Sequence, residues 1–276
     1  MRVYFAITSS EYLEVALKKG ARNILISFIH RKLIDKIRHN KEINLMIDSG
    51  AYSAWTKNKK IDLDDYIKFC KDIKKNNSLN ELYLVNLDVI PGRFGYIPSK
   101  EEIERAAKQG WKNYEIMKKE GLNVIHIFHQ HEKFKWLDKL LKERVDYIGI
   151  SPANDLSRKK RLNWLKRVFT VVKDKKKTHG FGVMDVEILK KIPFYSCDGS
   201  NWTGLVRWGV MSVYKDLSTK SLHYKKIKDA LEMKLNPRAL KNPKELVFEL
   251  EKVVDNILKM ESEITKLWTK RGVKME

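Results

Sequence analysis

The chain has 276 residues, 43% of them hydrophobic and 33% charged, enough to bury a sizeable core as one large domain or two small ones. Lys and Arg number 56 against 35 Asp and Glu, a formal charge of +21, which suits a polyanionic partner such as nucleic acid. Two cysteines, Cys70 and Cys197, exclude a disulfide framework and a cysteine-based structural zinc site.

The opening "MRVYFAITSSEYLEV" meets a Glu too early for a signal peptide and reads as a strand followed by a capped helix. "RVYFAI" precedes the helical pattern "SEYLEVALKKG", and "NILISFI" precedes "HRKLIDKIRHN". "INLMIDSG" precedes "LDDYIKFCKDIKKNN", with Cys70 on the apolar side of that helix, and "LYLVNLDVI" precedes "SKEEIERAAKQGWKNYEIMKKEG". "NVIHIFHQ" precedes "KFKWLDKLLKER", "YIGISP" precedes "RKKRLNWLKRVFTVVKD", "THGFGVMD" precedes "VEILKKI", and the eighth apolar run is "FYSCDGSNW". Eight strand-like runs separated by seven helix-like ones predict a parallel (β/α)8 barrel over residues 1–210. Residues 211–276 read as an added segment: a polar, basic, irregular connection containing a helix, then a long helix over Asn242–Gly272 packed on the barrel. No run approaches the roughly 20 apolar residues that cross a bilayer, so no membrane partner and a cytoplasmic location are expected.

In such a barrel the chemistry sits where strands end. Asp48 and Ser49 end the third run, Asp88 the fourth, His129 and Gln130 the fifth, Ser151 the sixth and Asp198 the eighth, while His179 and Asp185 bracket the seventh. Asp48, Asp88 and Asp198 are therefore expected in one cleft, as nucleophile and proton shuttle of a glycosyl-transfer reaction. The competing role for each Asp alone is capping the helix that follows. Gly149 lets a flat ligand approach the backbone, and Tyr52, Phe181 and Trp202 offer rings for stacking or for packing. His126, His129 and His131 on the fifth run, with Asp48 and Asp88, leave open a metal-dependent barrel hydrolase. The remaining possibility is a nucleic-acid-binding barrel with no catalytic activity. For a phosphate backbone, Arg93 and Arg207 near the strand ends and Lys159, Lys160 and Arg161 in "SRKKRLNWLKR" are the candidates.

Taken in order, "DSGAY", "NLDVIPG", "YIGIS", "HGFGV" and "SCDGSNW" resemble the motifs of the tRNA-guanine transglycosylases (queuine tRNA-ribosyltransferases). They resemble more closely the 7-deazaguanine DNA transglycosylases of phages and mobile elements. The resemblance spans about residues 43–209. It implies a (β/α)8 enzyme that exchanges guanine in nucleic acid for a 7-deazaguanine such as preQ0 or preQ1, with no cofactor. By position it makes Asp198 the nucleophile and Asp48 the general acid/base. Asp88 would read the base edge, with His129 or Gln130, Ser49, Ser151, the Gly149–Ile150 backbone and Tyr52 around the base. No cysteine follows Cys197, so the zinc site of the tRNA enzymes has no counterpart, which favours DNA over tRNA. A base-removing N-glycosidase on the same scaffold is the nearest alternative.

Overall fold

A computed structural model of the chain describes residues 1–92, 96–223, 225–226, 229, 232–234 and 245–275. The fold class is the expected one, α/β and TIM-barrel-like with a C-terminal helix. In chain order the elements are β1 (Arg2–Ile7), α1 (Ser10–Lys18), β2 (Asn23–Ser27), a 3-10 stretch (Phe28–Lys36), β3 (Asn44–Asp48), α2 (Ala51–Thr56), α3 (Leu63–Lys75) and β4 (Glu81–Val85). There follow α4 (Lys100–Lys119), β5 (Val124–Ile125), β6 (Ile127–His129), α5 (Phe134–Leu141), β7 (Tyr147–Ser151), α6 (Arg158–Val172) and β8 (Lys177–Gly180). Last come α7 (Val186–Leu189), β9 (Ser196–Gly199), α8 (Gly204–Trp208), β10 (Val210–Lys215), β11 (Ser218–His223) and α9 (Leu246–Lys270).

The main sheet has the order β5-β4-β3-β2-β1-β9-β8-β7-β6, and its end strands β5 and β6 are consecutive in the chain, with His126 alone between them. The nine short strands are thus the eight expected runs, the fifth being interrupted. The second helical pattern is a 3-10 stretch instead of an α-helix, with non-helical backbone at His30. Among the described residues no helix is long and apolar enough to cross a membrane.

The chain divides into two compact units, one of Met1–Asn23 with Gly182–Glu276 and one of Ile24–Phe181. In the first, β1 pairs in parallel with β9, setting Val3 opposite Cys197 and Tyr4 opposite Asp198. Helix α9 buries the stripe Leu250, Val253, Val254, Ile257, Ile264 and Trp268, the spacing of a helix with one apolar face. Polar bonds fix its register: Glu261 accepts from the Val3 N–H at 3.1 Å, and Trp268 donates to the Leu189 carbonyl at 2.8 Å. Where an irregular connection was expected, β10 and β11 form an antiparallel hairpin whose two-residue turn is Asp216–Leu217. Asn256 clamps that hairpin by accepting from the Tyr214 N–H and donating to its carbonyl.

In the second unit β3, β4 and β5 pair in parallel, as do β6, β7 and β8. The fully buried Tyr66 of α3 donates its hydroxyl to the Val85 carbonyl at 2.7 Å and lies 3.3 Å from that of Ile47. It ties the ends of β3 and β4 together at the point where Asp48 and Asp88 follow. Cys70, one turn along α3, is buried on the same apolar face as expected.

Candidate active site

Within the second unit the strand ends place several polar side chains side by side. Asp48 is the last residue of β3, and its carboxylate accepts the Gly50 N–H at 2.9 Å. That bond depends on Gly50, whose φ of +82° lies in the left-handed region and whose added Cβ would stand 2.7 Å from Ser27 Oγ; only glycine fits both conditions. Ser49, fully buried, reaches Asp88 Oδ1 from 3.4 Å. Asp88 is itself buried, and its other oxygen lies 2.9 Å from Nε2 of His129, the last residue of β6. This contact departs from the direction of a straight N–H···O bond, so it is an ion-pair contact more than an aligned hydrogen bond.

Burial opposes a charge on His129, but the Asp88 and Glu132 carboxylates outweigh it and raise the imidazole above the ordinary histidine range. Glu132 follows in the turn after β6, and burial pushes its carboxyl up to about 7 despite the neighbouring imidazole. The sequence reading missed Glu132, because nothing in "HQHEKF" distinguishes a sequestered glutamate from a solvated one. His126, in the interruption between β5 and β6, is a different kind of histidine. Burial, together with the nearby His129, brings it down to about 3, so it is neutral. It lies 3.0 Å from Asn86 Nδ2, which also donates to the Gly110 carbonyl, and the rings of Trp111 and Tyr114 pack against it. His131 is exposed. The three histidines therefore have three environments, since His126 lies in the interruption, His129 ends β6 and His131 lies beyond it. Among the described residues no group of three His, Cys, Asp or Glu side chains is placed to hold a metal ion.

His129 and Gln130 were alternatives for one role, and the structure separates them. Gln130 Oε1 accepts the Ala153 N–H at 3.0 Å and its backbone N–H bonds the Ser151 carbonyl, so it braces the loop after β7, while His129 is the one beside Asp88. At Gly149 the backbone N–H is already donated to the His126 carbonyl, and the Ile150 carbonyl accepts from Phe181. What Gly149 provides is space: a Cβ there would lie 2.6 Å from Phe181 Cε2 and 2.9 Å from Ile127 Cγ1. The half-buried Phe181 ring rests edge-on against buried His179, 4.4 Å between centroids. Tyr52 on α2 is exposed and tilted against Trp55. Lys159 and Lys160 are exposed at the start of α6 and Arg161 is half-buried, while Arg93 lies outside the described residues.

The first unit holds Asp198, Trp202 and Arg207. Asp198 is buried in β9, and its Oδ1 accepts the Gly182 N–H at 2.8 Å. Trp202 is buried too: its indole N–H bonds the Ala6 carbonyl, and Phe5 and Tyr12 meet it edge-on. These contacts give it a packing role, one of the two that its sequence position left open. Exposed Arg207 lies over the exposed ring of Trp208, 4.5 Å from its centroid, a cation–π pair. Asp185, set beside the seventh run by the sequence, caps α7 by accepting from Glu187. Cys197 is buried next to Asp198 and burial pushes its thiol well up.

A scan of protein-family models finds no match to the chain, and a search of curated proteins finds none either.

Proposed function

We propose that the protein is a base-exchange transglycosylase that replaces guanine in nucleic acid, DNA in preference to tRNA, with a 7-deazaguanine. The observation that carries this reading is positional. Asp48, His129 and Ser151 are the last residues of β3, β6 and β7, and Asp198 is in β9, in the order in which the transglycosylase motifs occur and at the strand ends where this fold class places chemistry. Further support comes from the first turn of α6. Arg158, Lys159, Lys160 and Arg161 crowd a helix N-terminus with no acidic residue, where the backbone dipole disfavours cations. Such a cost is understandable if those charges meet phosphate.

In this mechanism an Asp198 oxygen attacks C1′ of the target nucleotide as the C1′–N9 bond breaks, and the bonding pair leaves with guanine. Protonated Asp48 gives its proton to the departing base, leaving Asp198 joined to C1′ as an ester. The incoming 7-deazaguanine then loses its N9 proton to Asp48 and attacks C1′, and the ester bond breaks to regenerate Asp198. Asp88 accepts from the N1–H and amino group of the guanine-type edge. His129 Nε2, 2.9 Å from Asp88 Oδ2, is placed to hold that carboxylate in position. The base has to leave the stack to reach these groups.

The test is a trapping experiment on duplex DNA, single-stranded DNA and tRNA that contain guanine. An adduct that withstands denaturation, formed by the wild type and missing in Asp198→Ala, is the expected result, with the preferred nucleic acid read from the same gel. Release of guanine with no incorporation of preQ0 or preQ1 would identify a base-removing hydrolase, and no adduct on any substrate would refute the nucleophile.

A further inference from the structure

An open cleft of about 540 Å3 begins at the residue after Asp88. One wall is the loop Val89–Gly92, and the other is the exposed side of α4 with Arg105, Lys108 and Lys112. The three cations recur at i, i+3 and i+7, so they fall within one narrow face of the helix and cover about 10 Å of its length. Among the described residues none of the three forms an ion pair, whereas Lys133 and Lys135 nearby are both taken by Glu104. The acidic side chain in the cleft, Glu102, is bonded to the Ser99 N–H in the capping box that starts α4, and it also feels the charge of Arg105 without pairing to it.

Both walls are fixed relative to Asp88. Asn113 of α4 donates to the Leu87 carbonyl at 2.7 Å, and Asn86 donates to the Gly110 carbonyl at 3.0 Å. The helix approaches so closely that a Cβ at Gly110 would be 3.7 Å from the Asp88 Cα. At the far end Trp55 donates its indole N–H to the Gly92 carbonyl. An apolar, backbone-rich wall facing a row of cations is the surface a sugar–phosphate strand requires, with sugars on one side and phosphates on the other.

We propose that this cleft holds the sugar–phosphate backbone flanking the target nucleotide, with Arg105, Lys108 and Lys112 as phosphate contacts. The inference rests on the transglycosylase reading for its nucleic acid, and it assigns the strand's path to α4, a helix in which the sequence reading placed no contact. A row about 10 Å long, carried on extended side chains, reaches two or three successive phosphates of one strand.

The experiment compares full-length wild type, the triple variant Arg105→Gln/Lys108→Gln/Lys112→Gln, and a control that loses three exposed charges elsewhere, Lys32→Gln/Lys41→Gln/Lys75→Gln. Binding of a labelled guanine-containing oligonucleotide is followed by fluorescence anisotropy over a salt series, and the adduct is trapped in parallel. The α4 variant is expected to lose about two to three from the slope of log affinity against log salt, and the control far less. A triple variant that keeps the wild-type slope, or a control that loses as much, overturns the cleft. The two readouts are separate: adduct formation with an unchanged slope refutes the cleft alone, and a reduced slope with no adduct refutes the transglycosylase chemistry alone.

Discussion

Replacing Asp88 by Asn is the perturbation whose effect can be worked furthest from the structure. The side chain keeps its size, and the change removes the charge 2.9 Å from His129 Nε2. At that separation and an effective dielectric of about 20, the gross attraction lost is about 6 kcal/mol. The protein escapes most of it, because a histidine can give up its proton. Keeping an imidazole neutral at pH 5.5, about one unit below its unfolded pKa, costs only about 1.4 kcal/mol. In the wild type the folded pKa of His129 is raised, so the pair's stabilisation is fully present below about pH 6.5 and is lost as pH rises through the folded pKa. In Asp88→Asn, burial is left as the largest influence and lowers the pKa, so stability now falls as pH drops. Glu132 is held up mainly by burial, which the substitution leaves in place, so its carboxyl is a poor substitute for Asp88 at pH 5.5. The expected loss is about 1 kcal/mol at alkaline pH, from weakened hydrogen bonding, and about 2.5 kcal/mol at pH 5.5, a little under the roughly 3–5 kcal/mol for breaking a fully buried pair, since the His129 side chain is 26% exposed. Urea unfolding at both pH values measures the difference, and the NMR titration of the His129 ring measures its cause. An equal loss at both pH values, or a His129 that still titrates above 6.5 in the variant, would refute the reasoning.

Two further predictions concern the walls of the site. Gly149→Ala drives a methyl group against Phe181 and Ile127, including the Ile127 Cα at 3.2 Å, which has little freedom to move; a loss of about 1–3 kcal/mol is expected in urea unfolding, and wild-type stability would mean that Phe181 is not held there. Cys70, pushed up to about 12 by burial, and Cys197, pushed well up, should both be inert to a thiol reagent in the native state and react together on unfolding; rapid modification of either before unfolding would contradict their burial.

The barrel-like fold was legible because its strands and helices keep their periods: "NLMID" and "YIGIS" are short apolar runs, and α3 and α4 carry unbroken helical stripes with Asp62 and Ser99 as caps. The hairpin β10–β11 was not. Four of the six residues of β11 are exposed, so "STKSLH" has no apolar alternation. Its turn also places Asp216 and Leu217 at positive φ, where an Asn-Gly or Asp-Gly pair would have given the signal. The 3-10 stretch at Phe28–Lys36 was misread for a related reason: an amphipathic pattern indicates which side is buried and leaves the hydrogen-bond pitch open.

At the candidate site, sequence placed residues at strand ends, and only packing could sort them. His129 and Gln130 are neighbours in "FHQHE", and it is His129, the last residue of β6, that meets Asp88, while Gln130 turns to the Ala153 N–H. At the interruption between β5 and β6, the His126 ring meets Asn86, which lies in the loop after β4 and also donates to the Gly110 carbonyl of α4. One buried amide thus joins the break in the fifth run to α4, the helix that carries Arg105, Lys108 and Lys112, and Asn113 adds a second tie through the Leu87 carbonyl. A polar side chain with two such neighbours looks, in one dimension, like any asparagine after a strand, which is why strand ends were legible in the sequence and the framework around them was not.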